Sequence, residues 1–300
     1  NFCETLLGKG AIICNDTPGF LGNRVGVYAM QVAMTEAFRL KLTIEEADAV
    51  FGRPMGIPKT GVFGLYDLIG VDLMADVLKS FIKELHKNDE FQIVAKEIPL
   101  IKKLIIEGYT GRKGKGGFYR IKKEDGNKIL EAINLKTGDY SKARKIDLGI
   151  GDRMNLTKLV SIEGKYGDYA KNLINKITDY ASFLIPKVTQ NKNDIDEAMR
   201  LGFNWTIGPF EMLNLVNNIQ NSNEVKQNYL DKNLNTLRRI KNSKKTYLKK
   251  ENSSANYYYY EPKDYNLLEF KTKANALDSN SMEMLKSASD KNLIINNDAL

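Results

Sequence analysis

The sequence predicts a mainly α-helical protein in which one helical unit occurs twice. Apolar residues recur at helical spacing over about Leu21–Leu40, Leu65–Leu85 and Tyr166–Val188. Two patterns of the first half also recur in the second half of the chain. Strand-like patterns are short, and strands are expected only near residues 10–14 and 267–295. Helices should therefore dominate the fold.

The first predicted helix, about Leu21–Leu40, carries apolar side chains on more than one face. Val25, Tyr28 and Val32 follow the helical repeat, while Val27 and Met34 add apolar surface on other sides. A helix of this kind must be covered on most of its faces. We therefore expect it in an interface, either between subunits or between the two copies of the repeated unit.

Shorter helices should follow the first one. Thr43 is a candidate N-cap with Glu46 at the capping-box position, and the helix that it starts should end near Phe51. Leu65–Leu85 is expected to be one continuous helix with a single apolar face. A further helix at Ile98–Ile106 should end in the glycine-rich loop Gly108–Gly117.

The rest of the chain alternates polar stretches with helices. Residues 121–160 are polar and are interpreted as a linker, and the polar residues 218–264 are interpreted as a long helix or a linker. Between them, the helix from Tyr166 should stop near Pro186, and Asp194 is the candidate N-cap of the next helix.

The repeated unit has two matching parts. Thr43–Ala47 is echoed by Asp194–Ala198, and Thr60–Ile69 is echoed by Thr206–Val216. Each pair of parts predicts a capped helix, a glycine-containing loop and a second helix. If the repeat is real, the copies should superpose with the following pairs in register: Phe63 with Phe210, and Asp67 with Asn214.

The positive net charge of the chain raises the question of a negatively charged partner. The formal net charge is +8 and the pI is about 9.1, but the basic residues are spread along the chain rather than gathered in one stripe. No nucleic-acid partner is therefore expected, although a basic helical module that binds nucleic acid or an acidic partner remains the alternative function. No run of 18 apolar residues occurs, so no membrane span is expected.

The cysteines and the histidine do not form a site. The chain has two cysteines, Cys3 and Cys14, and one histidine, His86, and their spacing fits no zinc-binding motif. No metal is therefore expected. Few cysteines favour a reducing, cytoplasmic location, and His86 lies in a polar run that predicts a surface position.

Several motifs resemble the C-terminal domain of the L-3-hydroxyacyl-CoA dehydrogenases. Asp16–Arg24 looks like that family's crossing from the dinucleotide-binding domain into the helical domain. Gly56–Asp67 looks like its loop and helix, and Gly111–Tyr119 looks like the signature that closes the domain. Ala198–Glu211 is similar to the second copy in the multifunctional members. The resemblance covers about residues 1–217.

A second resemblance concerns the end of the chain. Leu268–Asp278 looks like the opening of the crotonase (enoyl-CoA hydratase) fold, where a strand leads into an Asn-Ala-Leu helix start. Together, the two resemblances imply two helical dehydrogenase domains and an incomplete α/β crotonase-like start. The implied segments are 1–16 (end of a missing NAD-binding domain), 17–120 (first helical domain), 161–217 (second copy) and 265–300 (truncated crotonase-like segment), with the two linkers between them.

The dehydrogenase resemblance implies NAD-dependent oxidation of a 3-hydroxyacyl-CoA in fatty-acid β-oxidation. Its catalytic His and the paired Glu belong to the dinucleotide-binding domain, and neither motif occurs here. Only Asn23 carries over as an active-site residue, positioning the substrate or the His. The fragment should bind acyl-CoA but no NAD of its own, be inactive alone, and act as a homodimer or with a companion chain that supplies the NAD domain. A decayed or split gene product remains an alternative.

Overall fold

A computed structural model describes residues 9–124, 126–221, 246–261, 265–270, 279–288 and 293–296. The chain divides into two compact units, Asn1–Asn223 and Glu224–Leu300, and each is considered by itself. None of the described helices combines the length and the apolar character needed to cross a bilayer.

The first unit is a helical assembly with one small sheet. Its helices are α1 Gly22–Arg39, α2 Ile44–Val50, α3 Phe63–Ile69, α4 Val71–Glu84, α5 Phe91–Val94, α6 Pro99–Ile106, α7 Leu156–Val160, α8 Lys165–Phe183, α9 Lys192–Phe203 and α10 Pro209–Asn221. Its strands are β1 Tyr119–Glu124, β2 Asn127–Ile133 and β3 Tyr140–Lys142.

Helix α1 is the centre of the first unit. It packs chiefly against α8 and α9, so the helices of the second half of the unit cover it. Val27 and Met34, which lie outside its main apolar stripe, are both buried. The expectation of burial on several faces is confirmed, and the covering helices come from the same chain.

The N-terminus of α2 has the predicted capping box. The Thr43 hydroxyl accepts the Glu46 backbone N–H at 3.3 Å, and the Glu46 carboxylate accepts the Thr43 backbone N–H at 3.0 Å. Two otherwise unpaired donors of the helix start are satisfied in this way.

The predicted helix Leu65–Leu85 is wrong as one element, because Gly70 divides it. Gly70 has a φ of +118°, and the Val71 backbone N–H beyond it bonds to the carbonyl of Thr110 at 3.0 Å. The apolar face predicted across both parts therefore does not exist, and Leu68 and Leu73 are about half exposed.

Residues 121–160 are not an unstructured linker, and this prediction is corrected. Strands β1, β2 and β3 form an antiparallel sheet in that order, and α7 follows. The sheet is buried only at one end, where Ala132 and Ile133 lie inside, whereas Ile121 and Leu130 are exposed. Its sequence is polar because so little of it is covered.

The strand expected near residues 10–14 is also absent from the described chain. Residues 9–17 are extended without strand pairing. The Asn15 backbone N–H instead bonds to the Val188 carbonyl at 2.8 Å, and its side-chain amide donates to the Lys187 carbonyl at 2.9 Å. The segment is thus tied to the loop after α8. Cys3 lies outside the described residues.

Helix α9 begins one turn before the predicted position. Its N-cap is Asn191, whose side chain accepts the Asn193 backbone N–H at 3.0 Å, so the prediction of Asp194 as N-cap is wrong. Asp194 instead accepts a hydrogen bond from the Thr189 hydroxyl at 2.8 Å. Polar residues at 191, 193 and 194 make the position of such a cap ambiguous in sequence.

The described residues of the second unit form a mixed sheet and a helix. The sheet order is β4–β5–β6–β7, with β4 Thr246–Glu251, β5 Ala255–Tyr260, β6 Tyr265–Phe270 and β7 Leu293–Asn296, and the helix is α11 Ser279–Ala288. Strands β4 and β5 correct the prediction of a linker over 218–264. Strands β6 and β7 pair in parallel, as α11 between them allows. The predicted Asn275–Leu277 helix start lies outside the described residues.

Candidate functional site

The start of α1 displays the one site residue that the sequence predicted. The chain turns at Thr17–Phe20, where the Phe20 N–H bonds to the Thr17 carbonyl at 2.9 Å. Asn23 lies in the first turn of α1 and is exposed. Its amide makes no hydrogen bond within the described part of the chain, so it is free to meet a ligand.

Arg24, next to Asn23, points inward and anchors this end of the helix. Its guanidinium bonds to the Asp89 carboxylate at 2.5 Å and to the Tyr180 hydroxyl at 2.9 Å. The Tyr180 hydroxyl in turn donates to Asp89 at 3.1 Å. All three polar groups are buried, and the Tyr180 ring stacks on Tyr28 at 3.9 Å. The exposed side of the first turn is therefore held by a rigid buried cluster.

A glycine lets α9 approach α1 closely. A Cβ atom added at Gly26 would lie 2.1 Å from the Phe203 ring. Beside this contact, an open cavity of about 620 Å³ lies against Gly22, Leu21 and Leu201. The exposed side chains of Ile13 and Phe20 also line it, so the surface adjoining the start of α1 is apolar.

Asp48 holds the N-terminus of α3. Its carboxylate accepts the backbone N–H groups of Phe63 at 2.8 Å and Gly64 at 3.1 Å. The Tyr119 hydroxyl donates to it at 2.9 Å. Burial raises the pKa of Asp48 to about 7, because desolvation outweighs these hydrogen bonds.

Asp67 holds the loop that follows α6. Its carboxylate accepts the backbone N–H groups of Phe118 at 2.8 Å and Tyr119 at 2.7 Å. The fit is tight, since a Cβ atom at Gly117 would lie 2.0 Å from the Asp67 Oδ1 atom. Burial raises the pKa of Asp67 to about 6.

Asp196 in α9 repeats the geometry of Asp48. It accepts the Phe210 backbone N–H at the start of α10 at 2.9 Å, and desolvation raises its pKa to about 6. Gly208 packs against Asp196 as Gly61 packs against Asp48, since a Cβ atom at either glycine would lie within 2.4 Å of the carboxylate side chain. The corresponding N-caps are Thr43 and Asn191.

This geometry changes the alignment of the repeat. The sequence pairs Thr43–Ala47 with Asp194–Ala198, whereas the contacts pair Thr43 with Asn191 and Asp48 with Asp196. Phe63 and Phe210 each donate a backbone N–H to an aspartate, whereas the superposition of the two copies stays a prediction. Asp67 and Asn214 differ, because Asn214 is exposed whereas Asp67 binds the loop.

The glycine-rich loop Gly111–Gly117 does not fit a dinucleotide. A dinucleotide loop joins a parallel strand to a helix, so that the pyrophosphate meets the helix N-terminus. Here the loop follows α6 and leads into the antiparallel strand β1. The Gly111 N–H bonds to the Gly116 carbonyl at 2.7 Å, and the Arg112 N–H bonds to the Asp67 carbonyl at 2.8 Å. The loop closes the domain and lacks the strand-to-helix geometry of a dinucleotide-binding loop.

The other residues considered from sequence are not brought together. His86 is exposed, and its ring nitrogen Nδ1 accepts the Asn88 backbone N–H at 3.2 Å. Cys14 is a half-buried free thiol. Arg24, Asp48 and Asp196 were not among the residues expected to matter. For the two aspartates, the available signal was an aspartate 14 or 15 residues before the Phe of a Gly-x-Phe pattern.

Comparison with known proteins finds a family match for the first part of the chain. Residues 19–121 match the family model of the 3-hydroxyacyl-CoA dehydrogenase C-terminal domain. A Rickettsia prowazekii protein named as a fatty acid oxidation complex trifunctional enzyme is 38% identical over 214 residues, covering 71% of this chain and 29% of the relative. A Bacillus subtilis protein named as a 3-hydroxyacyl-CoA dehydrogenase is 27% identical over 265 residues, covering 86% of this chain and 33% of the relative. The chain thus spans a third or less of the length of these curated relatives.

Among solved structures, the 3-hydroxybutyryl-CoA dehydrogenase of Escherichia coli K12 matches with a TM-score of 0.48 and 20% identity. The match covers 78% of this chain and 64% of that one.

Proposed function

Because residues 19–121 form a C-terminal domain of the 3-hydroxyacyl-CoA dehydrogenases, we propose that the chain is the helical, substrate-binding part of such an enzyme. The complete enzyme would oxidise 3-hydroxyacyl-CoA to 3-oxoacyl-CoA with NAD in fatty-acid oxidation. Relatives named as fatty-acid oxidation and 3-hydroxyacyl-CoA dehydrogenase proteins support this assignment.

In this proposal Asn23 meets the acyl-CoA. The observation that carries it is the exposed, unbonded amide of Asn23 on a turn whose next residue, Arg24, is fixed by buried contacts. An amide carried on a fixed helix turn can donate to a thioester carbonyl or orient a catalytic group. The apolar surface formed by Ile13, Phe20 and Leu201 lies beside this turn and suits an acyl chain.

The base and the cofactor site must come from outside the described residues. The sequence contains one histidine, and His86 is an exposed surface residue. The loop Gly111–Gly117 closes the helical domain and does not hold NAD. We therefore expect a dinucleotide-binding domain, on this chain's longer protein or on a companion chain, to supply both.

We also propose that residues 161–217 are a second copy of the helical unit. The paired contacts of Asp48 with Phe63 and of Asp196 with Phe210 support it. A crotonase-like segment at 265–300 remains a proposal too, supported by the strand–helix–strand order of β6, α11 and β7 with its parallel pair. Homodimer formation stays a prediction.

This proposal can be tested by adding a separate dinucleotide-binding domain to the chain. The chain is mixed with the dinucleotide-binding domain of the Bacillus subtilis relative, and NADH formation from 3-hydroxybutyryl-CoA is followed. The chain alone should show no turnover, and the mixture should. Asn23→Ala should lower the turnover of the mixture by about 10²-fold, the scale for loss of one aligned polar donor in a water-excluded site.

The matched control is Asn175→Ala, since Asn175 is an exposed asparagine of α8 outside the proposed site. It should leave turnover unchanged. Equal turnover in both variants would make Asn23 a residue of the helix start with no part in the reaction. Turnover by the chain alone would contradict the assignment of the chemistry to another domain.

A further inference from the structure

A second cavity, of about 950 Å³, lies on the first unit away from Asn23. It opens between α2, the start of α3, the loop Gly111–Gly117 and the sheet strands β1 and β2. Its size is at the upper end of the range for small-molecule sites, about 300–1,000 Å³. None of the contacts described for Asn23 extends to it.

The cavity has more cationic than anionic side chains. Lys59, Arg112, Lys115 and Arg144 line it. Within the described residues, none of the four forms a salt bridge with a carboxylate, and the Lys115 ammonium reaches only the Glu107 carbonyl at 3.4 Å. Unpaired cations around one concave surface attract anions, since the field is focused there.

The acidic groups of the cavity are already bonded. Asp48 and Asp67 accept the backbone N–H groups and the Tyr119 hydroxyl described above. Glu45 accepts the Arg144 backbone N–H at 3.2 Å, which leaves the Arg144 guanidinium available. These carboxylates are used to hold the walls together and do not neutralise the four cations by direct pairing.

A fifth cationic side chain, Arg120, is bonded within the wall of the cavity and is not available to a ligand. Its Nε atom bonds to Glu131 at 2.7 Å, and its guanidinium lies 3.9 Å from the centre of the Tyr140 ring. The strand that carries it also presents Ile121, which is 61% exposed, beside Leu130, which is 50% exposed. Both line the cavity, so one wall is apolar and solvent-facing.

We propose that this cavity binds a nucleotide-like ligand, with its phosphates against Arg112, Arg144 and the two lysines and its base or other flat part against Ile121 and Leu130. Arginine forks suit phosphate oxygens, which they can bind through two parallel hydrogen bonds. An apolar wall beside a cationic rim matches a molecule with one charged and one flat apolar part. The cavity shares no lining residue with the apolar surface proposed for the acyl chain beside Asn23.

The test uses ADP as the probe on the whole chain, by isothermal titration calorimetry. The double variant Arg112→Gln/Arg144→Gln should weaken ADP binding at least about tenfold, since each loses a charge-assisted hydrogen bond to phosphate. The control variant Arg53→Gln/Arg153→Gln makes the same change of charge at exposed arginines outside the cavity. It should change ADP affinity less than about twofold, the scale of distant screened charges. Circular dichroism checks that both variants are folded.

Three further ligands separate the contribution of the phosphates to binding from that of the base. Inorganic pyrophosphate should bind more weakly than ADP, and Leu130→Ser should weaken ADP but not pyrophosphate. Adenosine should bind more weakly than ADP because it lacks phosphate. Coenzyme A that binds more tightly than ADP would identify a coenzyme as the source of the nucleotide, and equal affinity would identify free nucleotide.

The proposal is overturned if ADP shows no binding at millimolar concentration, if the two double variants bind ADP equally well, or if adenosine binds as tightly as ADP. Its failure would not affect the assignment of Asn23, because turnover in the mixed assay depends on a different surface. Conversely, loss of the Asn23 effect would leave ADP binding at the cavity unchanged.

Discussion

The Asp196 carboxylate accepts the backbone N–H of Phe210 at 2.9 Å, so a side chain of α9 caps the start of α10. Asp196→Ala should lower the free energy of unfolding of the first unit by about 1–2 kcal/mol, the usual cost of a lost helix cap. Asp196→Asn should cost less, because its amide oxygen can still accept. Urea unfolding followed by the fluorescence of Trp205, the single tryptophan, measures both.

Trp205 reports on the right region because it is buried and lies edge-on to Phe51 at 6.3 Å. The control is Asp152→Ala, at an exposed aspartate. A loss of stability in the control as large as in Asp196→Ala would show a general effect of charge rather than of capping.

The buried pair of Arg24 and Asp89 should depend on both partners. Arg24→Met leaves a buried carboxylate without its cation and should cost about 3–5 kcal/mol. Arg24→Met/Asp89→Asn removes both charges, while the Asn oxygen can still accept the Phe91 N–H that now bonds to Asp89 at 3.0 Å. The double variant should therefore be more stable than Arg24→Met alone. Equal unfolding free energies for these two variants would contradict this view of the pair.

The close contact of α1 with α9 predicts a steric effect. Gly26→Ala forces the Phe203 ring to move and should destabilise the first unit by about 1–3 kcal/mol. Adding Phe203→Leu to Gly26→Ala should recover part of that lost stability, because the smaller side chain leaves room for the new methyl group. Gly202→Ala is the matched control, because nothing lies within 4 Å of its added Cβ and α9 should gain about 1 kcal/mol. Thermal unfolding of all four proteins compares them, and a stable Gly26→Ala would rule out the tight packing.

Stability should also fall as the pH rises toward neutrality. The pKa of Asp48 is about 7 in the folded chain against an ordinary value of 3.8, so the folded state holds a proton that the unfolded state has lost. This contribution is complete below about pH 4 and is lost as the pH passes about 7. The unfolding free energy should therefore be lower at about pH 8 than at about pH 5.

Asp48→Asn should reduce that pH dependence without abolishing it. The pKa values of Asp67 and Asp196, each about 6, are raised in the same direction by burial and remain in the variant. Urea unfolding at both pH values gives the comparison. An identical pH dependence in the wild type and in Asp48→Asn would place the titrating group elsewhere.

Local patterns predicted those elements whose cause is local. The apolar spacing of α1 and the capping box of Thr43 and Glu46 depend on residues within a few positions of each other. The break at Gly70 depends instead on a bond from Val71 to Thr110, far along the chain, and glycine inside a helical pattern is otherwise tolerated. The sheet of β1–β3 was missed because its strands are mostly polar and bury few side chains.

The residues of the candidate site likewise differ in how far the sequence could predict them. Asn23 could be found because a family motif surrounds it, and whether it acts in the reaction remains a prediction. Arg24 gave no signal, since its partners Asp89 and Tyr180 are 65 and 156 positions away. The one-turn error at Asp194 arose because a short polar segment offers several possible caps. The hydrogen bonds of Asn191 to the Asn193 N–H and of Asp194 to Thr189 decide between them.

The position of α1 also affects how the chain is made. The Tyr169 hydroxyl donates to the Ala33 carbonyl of α1 at 2.8 Å, across 136 residues. At a synthesis rate of about 5–20 residues per second, α1 leaves the ribosome on the order of ten seconds before α8 can cover it. During that interval its apolar faces are exposed to solvent and to other nascent chains. We therefore expect α1 to be vulnerable to aggregation until α8 and α9 have been made.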